Sequence, residues 1–435
     1  MSWQTVLGFE THIELGTNSK MFCACPADHF GKPPNTQTCP VCLGLPGALP
    51  VPNATAIEWC IKLGLALNCK VNLFSKFDRK NYFYPDLPKG YQISQYDLPF
   101  CHSGWLDVPA PHHPGGESAG TKRIRITRVH MEEDTGKLQH AEVSGKKVSL
   151  VDFNRSGVPL VEVVTEPDFD SPDESSEFLK EIQAIVRTLG ISTADMEKGS
   201  MRLEANISVR PAGQTELPNY KVEIKNVNSF RFIKKAIEYE VGRQTRLLEA
   251  GLTPDQETRG FKESAGATVA QRSKESAHDY RYFPEPDIPP FQFTAEQIAA
   301  WRQQLPELPA AIRDRLAAAG VPSASAAVIV ASPARLKKYI ELTASHDPVA
   351  VAKLLANLPE DQVYHASMHD TSGKAISDEQ QIRAAAKAVV SANPRAVADI
   401  KAGKIQGKFF LIGQIKKELG DVDIPLVQKI LDKLI

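Results

Sequence analysis

Three stretches of the chain alternate strictly between apolar and polar positions. From Leu7 to Leu15, Leu7, Phe9, Ile13 and Leu15 fall on one side, and Gly8, Glu10, His12 and Glu14 on the other. From Arg202 to Arg210, Leu203, Ala205, Ile207 and Val209 oppose Arg202, Glu204, Asn206 and Ser208. From Tyr220 to Val227, Tyr220, Val222 and Ile224 oppose Lys221, Glu223 and Lys225. Period two is the geometry of a strand with one face in the core, so three strands are predicted that turn acidic side chains away from it. Helical spacing occurs twice nearby. Ser171-Pro-Asp-Glu174 reads as a capping box with proline at the first helical position, followed by Phe178, Leu179, Ile182, Ile185, Val186 and Leu189, and stopped by Gly190. Asn53 opens another helix with Ile57, Cys60, Ile61 and Leu65 on one face.

The irregular order of strands and helices up to about residue 293 predicts an α+β domain rather than a doubly wound sheet. After Glu285-Pro-Asp-Ile-Pro-Pro290 the chain becomes rich in Ala, Leu, Lys and Gln, with prolines as breaks, which predicts an all-helical region. The polar stretch from His365 to Ser377 reads as a linker. The expected division is residues 1–293, a helical domain over 294–370 and a small helical tail over 375–435.

Composition changes this picture at two places. The formal net charge is −1, which excludes a uniformly basic nucleic-acid binder, yet Lys401 to Ile435 carries seven Lys against one Glu and three Asp. By charge alone, a solvated helical face and a nucleic-acid contact both remain open there. Four of the seven cysteines form two pairs, Cys23-Ala-Cys25 and Cys39-Pro-Val-Cys42, the second followed by Leu-Gly44. Two thiolate pairs across a short loop match the tetrahedral four-sulfur demand of a structural Zn²⁺ site; the alternative is a cluster of buried thiols. Cys60, Cys69 and Cys101 read as packing residues. The start of the chain has no secretory pattern and no apolar run approaches a membrane span, so a cytoplasmic location is expected.

The chain contains no phosphate-binding glycine loop, no serine nucleophile elbow and no glycine-rich Ser-Ser-Lys segment. A nucleotide would therefore have to be held through acidic residues and a metal. Glu10, His12, Glu14, Glu204 and Glu223 supply carboxylates and an imidazole on predicted strand faces, and the loop His130-Met-Glu-Glu-Asp134 adds three acids in a row. Mg²⁺ takes carboxylates, water and substrate phosphates, so the set suits it. Spacing alone leaves a metal–phosphate site and a solvated acidic face equally open.

At this point the motifs resemble one family. Glu10-Thr-His12-Ile-Glu14-Leu, Lys76-Phe-Asp-Arg-Lys-Asn-Tyr-Phe-Tyr-Pro-Asp86, Tyr91-Gln-Ile-Ser-Gln95, His130-Met-Glu-Glu-Asp134-Thr-Gly-Lys137, Glu223-Ile-Lys-Asn-Val-Asn-Ser-Phe230 and Asp279-Tyr-Arg-Tyr-Phe-Pro-Glu-Pro-Asp287 are similar to the B subunits of the tRNA-dependent amidotransferases. The likeness runs in order through nearly the whole chain, and the cysteine pairs resemble those of zinc-carrying members. It implies a cradle-shaped α+β catalytic domain, a helical domain and a tRNA-binding tail. The implied activity is that of a glutamine-hydrolysing, ATP-dependent ligase. ATP phosphorylates the side-chain carboxylate of Glu-tRNA(Gln) or Asp-tRNA(Asn). Ammonia from a separate amidase (glutaminase) subunit displaces the phosphate, and a small third subunit clamps the pair. Carried over residue by residue, the resemblance implies Mg²⁺ contacts at His12, Glu133 and Glu223, with Glu10 close by. Lys80 would contact ATP phosphate, Lys225 would be a second ATP contact, and Glu204 would orient ammonia or a second metal.

The chain departs from the family pattern in four places. Arg202-Leu-Glu-Ala-Asn206 carries Glu204 where Asp is common, and His278 stands where an acid is usual. The segment before the tail is shortened, and Gly420-Asp-Val-Asp-Ile-Pro425 replaces a commoner Gly-Gln-Ala-Asn-Pro loop. Two rival readings compete with this one. An archaeal-type subunit dedicated to tRNA(Gln) would need an inserted domain, for which the short path after Asp287 leaves no room. A zinc-stapled RNA-binding module without catalysis would differ by lacking ATP hydrolysis.

Overall fold

The alternating segments become neighbouring strands of one sheet. The computed structural model describes residues 2–109, 120–273, 280–367, 378–401, 405–419, 422 and 424–435. His278 and Asp279, most of the expected linker, and Gly420, Asp421 and Asp423 of the tail loop lie outside the described residues. In chain order the first unit contains β1 (Trp3–Glu14), α1 (Ala54–Ala66), β2 (Lys70–Val71), β3 (Phe74–Ser75), β4 (Asp78–Asn81), β5 (Tyr91–Ser94), β6 (Cys101–Pro109) and β7 (Thr121–Glu133). There follow the hairpin β8 (Lys137–Val143) and β9 (Lys146–Asp152), then β10 (Pro159–Thr165), α2 (Pro172–Thr188), β11 (Met201–Pro211) and β12 (Val222–Val227). The unit continues with α3 (Phe230–Glu249), β13 (Glu257–Lys262), β14 (Ala267–Ser273), β15 (Phe283–Pro284), β16 (Phe291–Gln292) and α4 (Ala295–Gln303).

Nine of these strands form a sheet in the order β14-β13-β12-β11-β1-β10-β7-β6-β2. Only β12 and β13 pair in parallel, and α3 provides their crossover. Helices α1, α2 and α3 pack on the sheet. They bury the apolar halves of the strands, including Leu7, Phe9, Ile13, Leu203, Ala205 and Ile207, in one continuous core with Phe178, Ile182 and Ile233. Phe9, Phe169 and Phe178 meet edge to face, with ring centroids 5.2 and 5.1 Å apart. The opposite halves of the strands stay polar. A small sheet, β15-β4-β5, lies against β7. The fold is α+β, as expected.

Both predicted helices form, with an instructive difference at the second. Asn53 caps α1 by accepting from the Ala56 amide at 3.1 Å, and Ser171 caps α2 by accepting from the Glu174 amide at 3.3 Å. Glu174 does not complete a reciprocal box with Ser171. Its carboxylate reaches one residue further back, accepting from the Asp170 amide at 2.9 Å and pairing with Lys122 at 3.0 Å. The third predicted strand starts later than expected, at Val222; Tyr220 sits before it and its hydroxyl bonds to the Val209 backbone and to Gln244.

The second unit, residues 313–435, is helical among its described residues. Leading into it is α5 (Pro309–Ala318), followed by α6 (Ser323–Ala331), α7 (Pro333–Thr343) and α8 (Pro348–Asn357), the last three packed on one another. Buried Arg335 ties α7 to the end of α8 by donating to the Leu355 and Leu358 carbonyls. The tail consists of α9 (Glu379–Ala392), α10 (Pro394–Lys401), α11 (Ile405–Leu419) and α12 (Ile424–Leu434), around a core of Ile382, Val389, Leu411, Ile415, Val427 and Leu431. Among the described residues no helix is long and apolar enough to cross a membrane.

Candidate functional site

The polar half of β1 runs Gly8, Glu10, His12, Glu14 along one line, and the neighbouring strands set their own polar residues beside it. Antiparallel register places Glu10 directly opposite Glu204 and beside Val164; His12 lies between Arg202 and Glu162; Glu162 in turn faces His130 on β7. On β12, Glu223 is opposite Asn206. The five adjacent strands β12-β11-β1-β10-β7 thus converge on one acidic face.

Two clusters form on it. In the first, Glu10, Glu204 and Glu223 each bring a carboxylate oxygen within 4.8 Å of the others. Two carboxylates directly across a strand pair repel, so this arrangement is costly without a cation. The Lys225 ammonium offsets part of that, 2.6 Å from Glu204 and 3.6 Å from Glu223, and these carboxylates raise its pKa against the effect of burial. Asn206 donates to Glu10 at 2.9 Å, and the Thr258 hydroxyl donates to Glu223 at 2.9 Å, which fixes the carboxylates' orientation. A cavity of about 350 Å³ lies beside Glu10, lined by Gly8, Pro167, Asn206 and Tyr220.

In the second cluster, His12 lies 3.4 Å from Glu132 and 3.5 Å from Glu162, and His130 reaches Glu162 at 3.2 Å. Burial works against a charged His12, but Glu162 and the hydrogen bonds to both carboxylates outweigh it and push its pKa well above the ordinary value. Lys80 on β4 approaches the same acids, 5.0 Å from the Tyr280 ring centroid and 6.0 Å from that of Tyr82. Its pKa rises despite burial because of Glu132, Tyr282, Tyr82 and Glu162. One oxygen of Glu132 is buried with no hydrogen-bond partner. An unpartnered carboxylate oxygen in a buried ring of oxygen and nitrogen donors is a fit for a hard cation such as Mg²⁺, as are the three oxygens of the first cluster.

Of the residues expected from sequence, His12, Glu10, Glu204, Glu223, Lys80 and Lys225 all lie on or beside this face. Glu133 does not join them. His130 to Glu133 is the end of strand β7, not a loop, so alternation sends His130 and Glu132 to the acidic face and turns Glu133 the other way. There Glu133 pairs with Lys89 at 2.6 Å and accepts from the Ile93 amide at 3.0 Å. Its expected place beside His12 is occupied by Glu132. Glu162 and His130 are site residues that the sequence reading does not identify. The available signal is a single Glu inside the otherwise apolar Pro159-Leu-Val-Glu-Val-Val-Thr165, a charge that a buried strand retains only with partners.

The four cysteines also converge, with all sulfurs within 4.8 Å of one another. Cys39 and Cys42 have sulfurs 3.9 Å apart, close to the separation of about 3.8 Å that four ~2.3 Å bonds to a tetrahedral centre require. The turn that aims them closes with Gly44 at φ +65°, where a Cβ would stand 2.4 Å from the Lys89 side chain. The hydrogen bond from Cys23 pulls the Cys42 thiol down to about 4 against burial, helped by the Cys39 amide and the Lys20 charge, while the same bond drives Cys23 up. The buried Lys20 ammonium lies 3.6 Å from the Cys42 sulfur and donates to the Gln37 carbonyl at 2.8 Å and that of Phe153 at 3.3 Å. This group can hold a metal ion through four soft ligands and leaves no coordination position for chemistry. Cys60, Cys69 and Cys101 are buried in the core, as expected.

The chain matches the family model described as the GatB/GatE catalytic domain over residues 5–299, and that described as the GatB domain over residues 341–435. It is similar to proteins named as the B subunit of an aspartyl/glutamyl-tRNA(Asn/Gln) amidotransferase. The relative from Caldanaerobacter subterraneus is 44% identical over 96% of each chain. That from Thermomicrobium roseum is 42% identical over 99% of this chain and 98% of its own. The Brevibacillus brevis relative is 42% identical over 100% of this chain and 99% of its own.

Proposed function

This chain belongs to the family of aspartyl/glutamyl-tRNA(Asn/Gln) amidotransferase B subunits, and we propose that its acidic sheet face activates the side-chain carboxylate of Glu-tRNA(Gln) or Asp-tRNA(Asn) with ATP. The observation that carries this reading is the pairing of two carboxylate clusters on adjacent strands, flanked by the ammonium groups of Lys80 and Lys225. A carboxylate is a poor acyl donor until one oxygen becomes a phosphate leaving group. A carboxylate oxygen attacks the γ-phosphorus of ATP, ADP leaves, ammonia then adds to the acyl carbon and inorganic phosphate departs with the C–O bond electrons. What this chemistry asks of a protein is charge neutralisation and alignment.

Mg²⁺ would be held by Glu132 and Glu162, with His12 joining them on releasing its proton, and by Glu10, Glu204 and Glu223, and when bound it would neutralise phosphate charge. Lys80 and Lys225 bind the phosphate oxygens of ATP. Thr258 and Asn206 keep the first cluster's carboxylates oriented. Glu204, with one methylene more than the commoner Asp, extends its carboxylate to Lys225 and remains the residue that would orient ammonia or the second metal. Glu133 and Lys89 lie apart from this face and bind one another. The four-cysteine group would hold a structural Zn²⁺ and so brace the loop after β1, whose Met21 amide bonds to the Gly157 carbonyl and whose Lys20 reaches the Phe153 carbonyl.

The remaining parts follow from the family. Ammonia comes from glutamine hydrolysed by the amidase (glutaminase) subunit, a small third subunit joins the pair, and the basic tail holds tRNA in the cytoplasm. The test is direct: the purified complex with misacylated tRNA, ATP, Mg²⁺ and excess ammonium should form the side-chain amide and release phosphate in equal amounts. Amide without ATP cleavage, or ATP cleavage indifferent to misacylated tRNA, would overturn the proposal.

A further inference from the structure

Lys20 is a buried cation with no acid beside it. Only 1% of its surface is exposed, and a lysine is almost never buried to that degree without an anion as partner. Its ammonium donates to the Gln37 carbonyl at 2.8 Å and the Phe153 carbonyl at 3.3 Å, and it lies 3.6 Å from the Cys42 sulfur. Among the described residues no carboxylate comes within ion-pair distance of it. Glu133, whose carboxylate shares the surroundings of Gly157 with the Lys20 stem, is taken by Lys89 at 2.6 Å. Carbonyls satisfy the N–H groups but leave the charge unbalanced. Of the three partners, only the sulfur can be an anion.

The place of Cys42 within its group explains why a cation sits there. Cys23, Cys25 and Cys39 are half-buried, so water can solvate their sulfurs, whereas Cys42 is 3% exposed. Four thiolates around Zn²⁺ carry more negative charge than the ion neutralises. That excess is costliest at the sulfur that water does not reach. Two donors meet at this sulfur, the Cys39 amide at 3.1 Å and the Lys20 ammonium. A protonated thiol needs no such cation, so the ammonium favours the metal-bound state over the metal-free one.

The same lysine joins the cysteine loop to the turn before β10. The Ser156 hydroxyl donates to the Cys42 carbonyl at 3.0 Å, the Met21 amide to the Gly157 carbonyl at 2.7 Å, and the Gly157 amide to the Asp134 carbonyl at 2.9 Å. Metal retention therefore bears on the turn that holds the end of β7, just beyond Glu132.

We propose that Lys20 is the counter-ion of the four-cysteine metal centre, a positioning residue that acts through Cys42 and sets how tightly the metal is kept. The inference rests on the Zn²⁺ assignment made above and adds to it a residue outside the ligand set.

The experiment uses the complete complex, purified without chelator, as unaltered protein and with Lys20→Met or Lys20→Gln. Methionine removes charge and donor but keeps an unbranched stem. Glutamine removes the charge and keeps an N–H donor, and it carries the test should the methionine variant not fold; circular dichroism checks folding. Zinc content is measured by elemental analysis, and zinc release to excess chelator is then followed. Both variants should release zinc about tenfold or more faster than the unaltered protein. With Co²⁺ in place of Zn²⁺, their sulfur-to-metal charge-transfer absorption should move to lower energy, because a thiolate without its ammonium gives up electrons more readily. A lysine that only packs would leave that absorption where it is. Equal zinc retention in all three proteins overturns the proposal. So does fast release confined to Lys20→Met, which assigns the effect to the two carbonyls, and fast release with unshifted absorption, which assigns it to packing. Unaltered protein without zinc overturns the metal assignment itself, a result distinct from zinc that is bound but indifferent to position 20.

Discussion

Asp134 shows how closely a buried charge here depends on its partners. Its carboxylate accepts from Arg202 at 2.5 Å and from the Thr135 amide at 2.9 Å, with Arg155 3.7 Å away. Burial would raise its pKa, but the two arginines overcome that and hold it below the ordinary carboxylate range. A lowered folded value means that the stabilisation is present above the unfolded value, near 4, and is lost as pH falls through the folded value. Asp134→Asn should therefore cost about 1–3 kcal/mol at pH 7, since Arg202 loses its hydrogen-bonded counter-charge and keeps only Glu14 and Glu132 nearby. It should also flatten the acid limb of stability below about pH 4. Chemical denaturation at several pH values checks both, and an unchanged acid limb would contradict this role. At the same scale, alternation on β7 separates Glu132 from Glu133. Glu162→Gln should reduce amide formation by ~10²-fold or more, as loss of one electrostatic stabiliser does elsewhere. Glu133→Gln, which alters a pair with Lys89, should lose distinctly less when ammonium is supplied directly. Steady-state rates on the two variants distinguish them. Glu10, His12, Glu204 and Glu223 are legible because alternation alone assigns them to a face. Glu162 is not, because an apolar strand buried on both sides has no period from which to read direction.

At the scale of elements, β1 and β11 are readable because each strand has one wet and one dry face. His130 to Asp134 reads as a loop only because three adjacent acids suggest solvent when taken without their cross-strand neighbours. The capping pattern at Ser171 is half right: the helix starts where it indicates, but Glu174 finds stronger partners in the Asp170 amide and Lys122. The cysteine pairs are the clearest signal, because spacing and turn residues together dictate where four sulfurs point. Protein purified without chelator should contain about one zinc per chain by elemental analysis. Cys39→Ser should lower zinc content and the melting temperature together, with only indirect loss of activity. A folded wild type free of metal would contradict the assignment.

For the molecule as a whole, the change in texture after residue 290 announces the helical C-terminal third, because composition averages over many residues and survives local misreadings. The order of strands is beyond the sequence: β13 inserts through a parallel crossover, and no local pattern records which edge it joins. The tail's basic helices can be tested as a unit. Removing residues 378–435 should weaken tRNA binding and lessen its salt sensitivity, because fewer phosphate contacts release fewer counterions. Glutamine hydrolysis by the partner amidase should persist, and unchanged tRNA affinity would contradict the assignment of the tail. The central claim, that adjacent strands assemble a carboxylate site for ATP-dependent activation, is tested most directly with Glu223→Gln in the complete complex. That change preserves size and the bond from Thr258 while removing one charge from the first cluster. ATP cleavage and amide formation are measured together, with misacylated tRNA and excess ammonium so that the amidase is bypassed. The account predicts that both fall in parallel by ~10²-fold or more, with tRNA affinity intact; wild-type rates of both would contradict it.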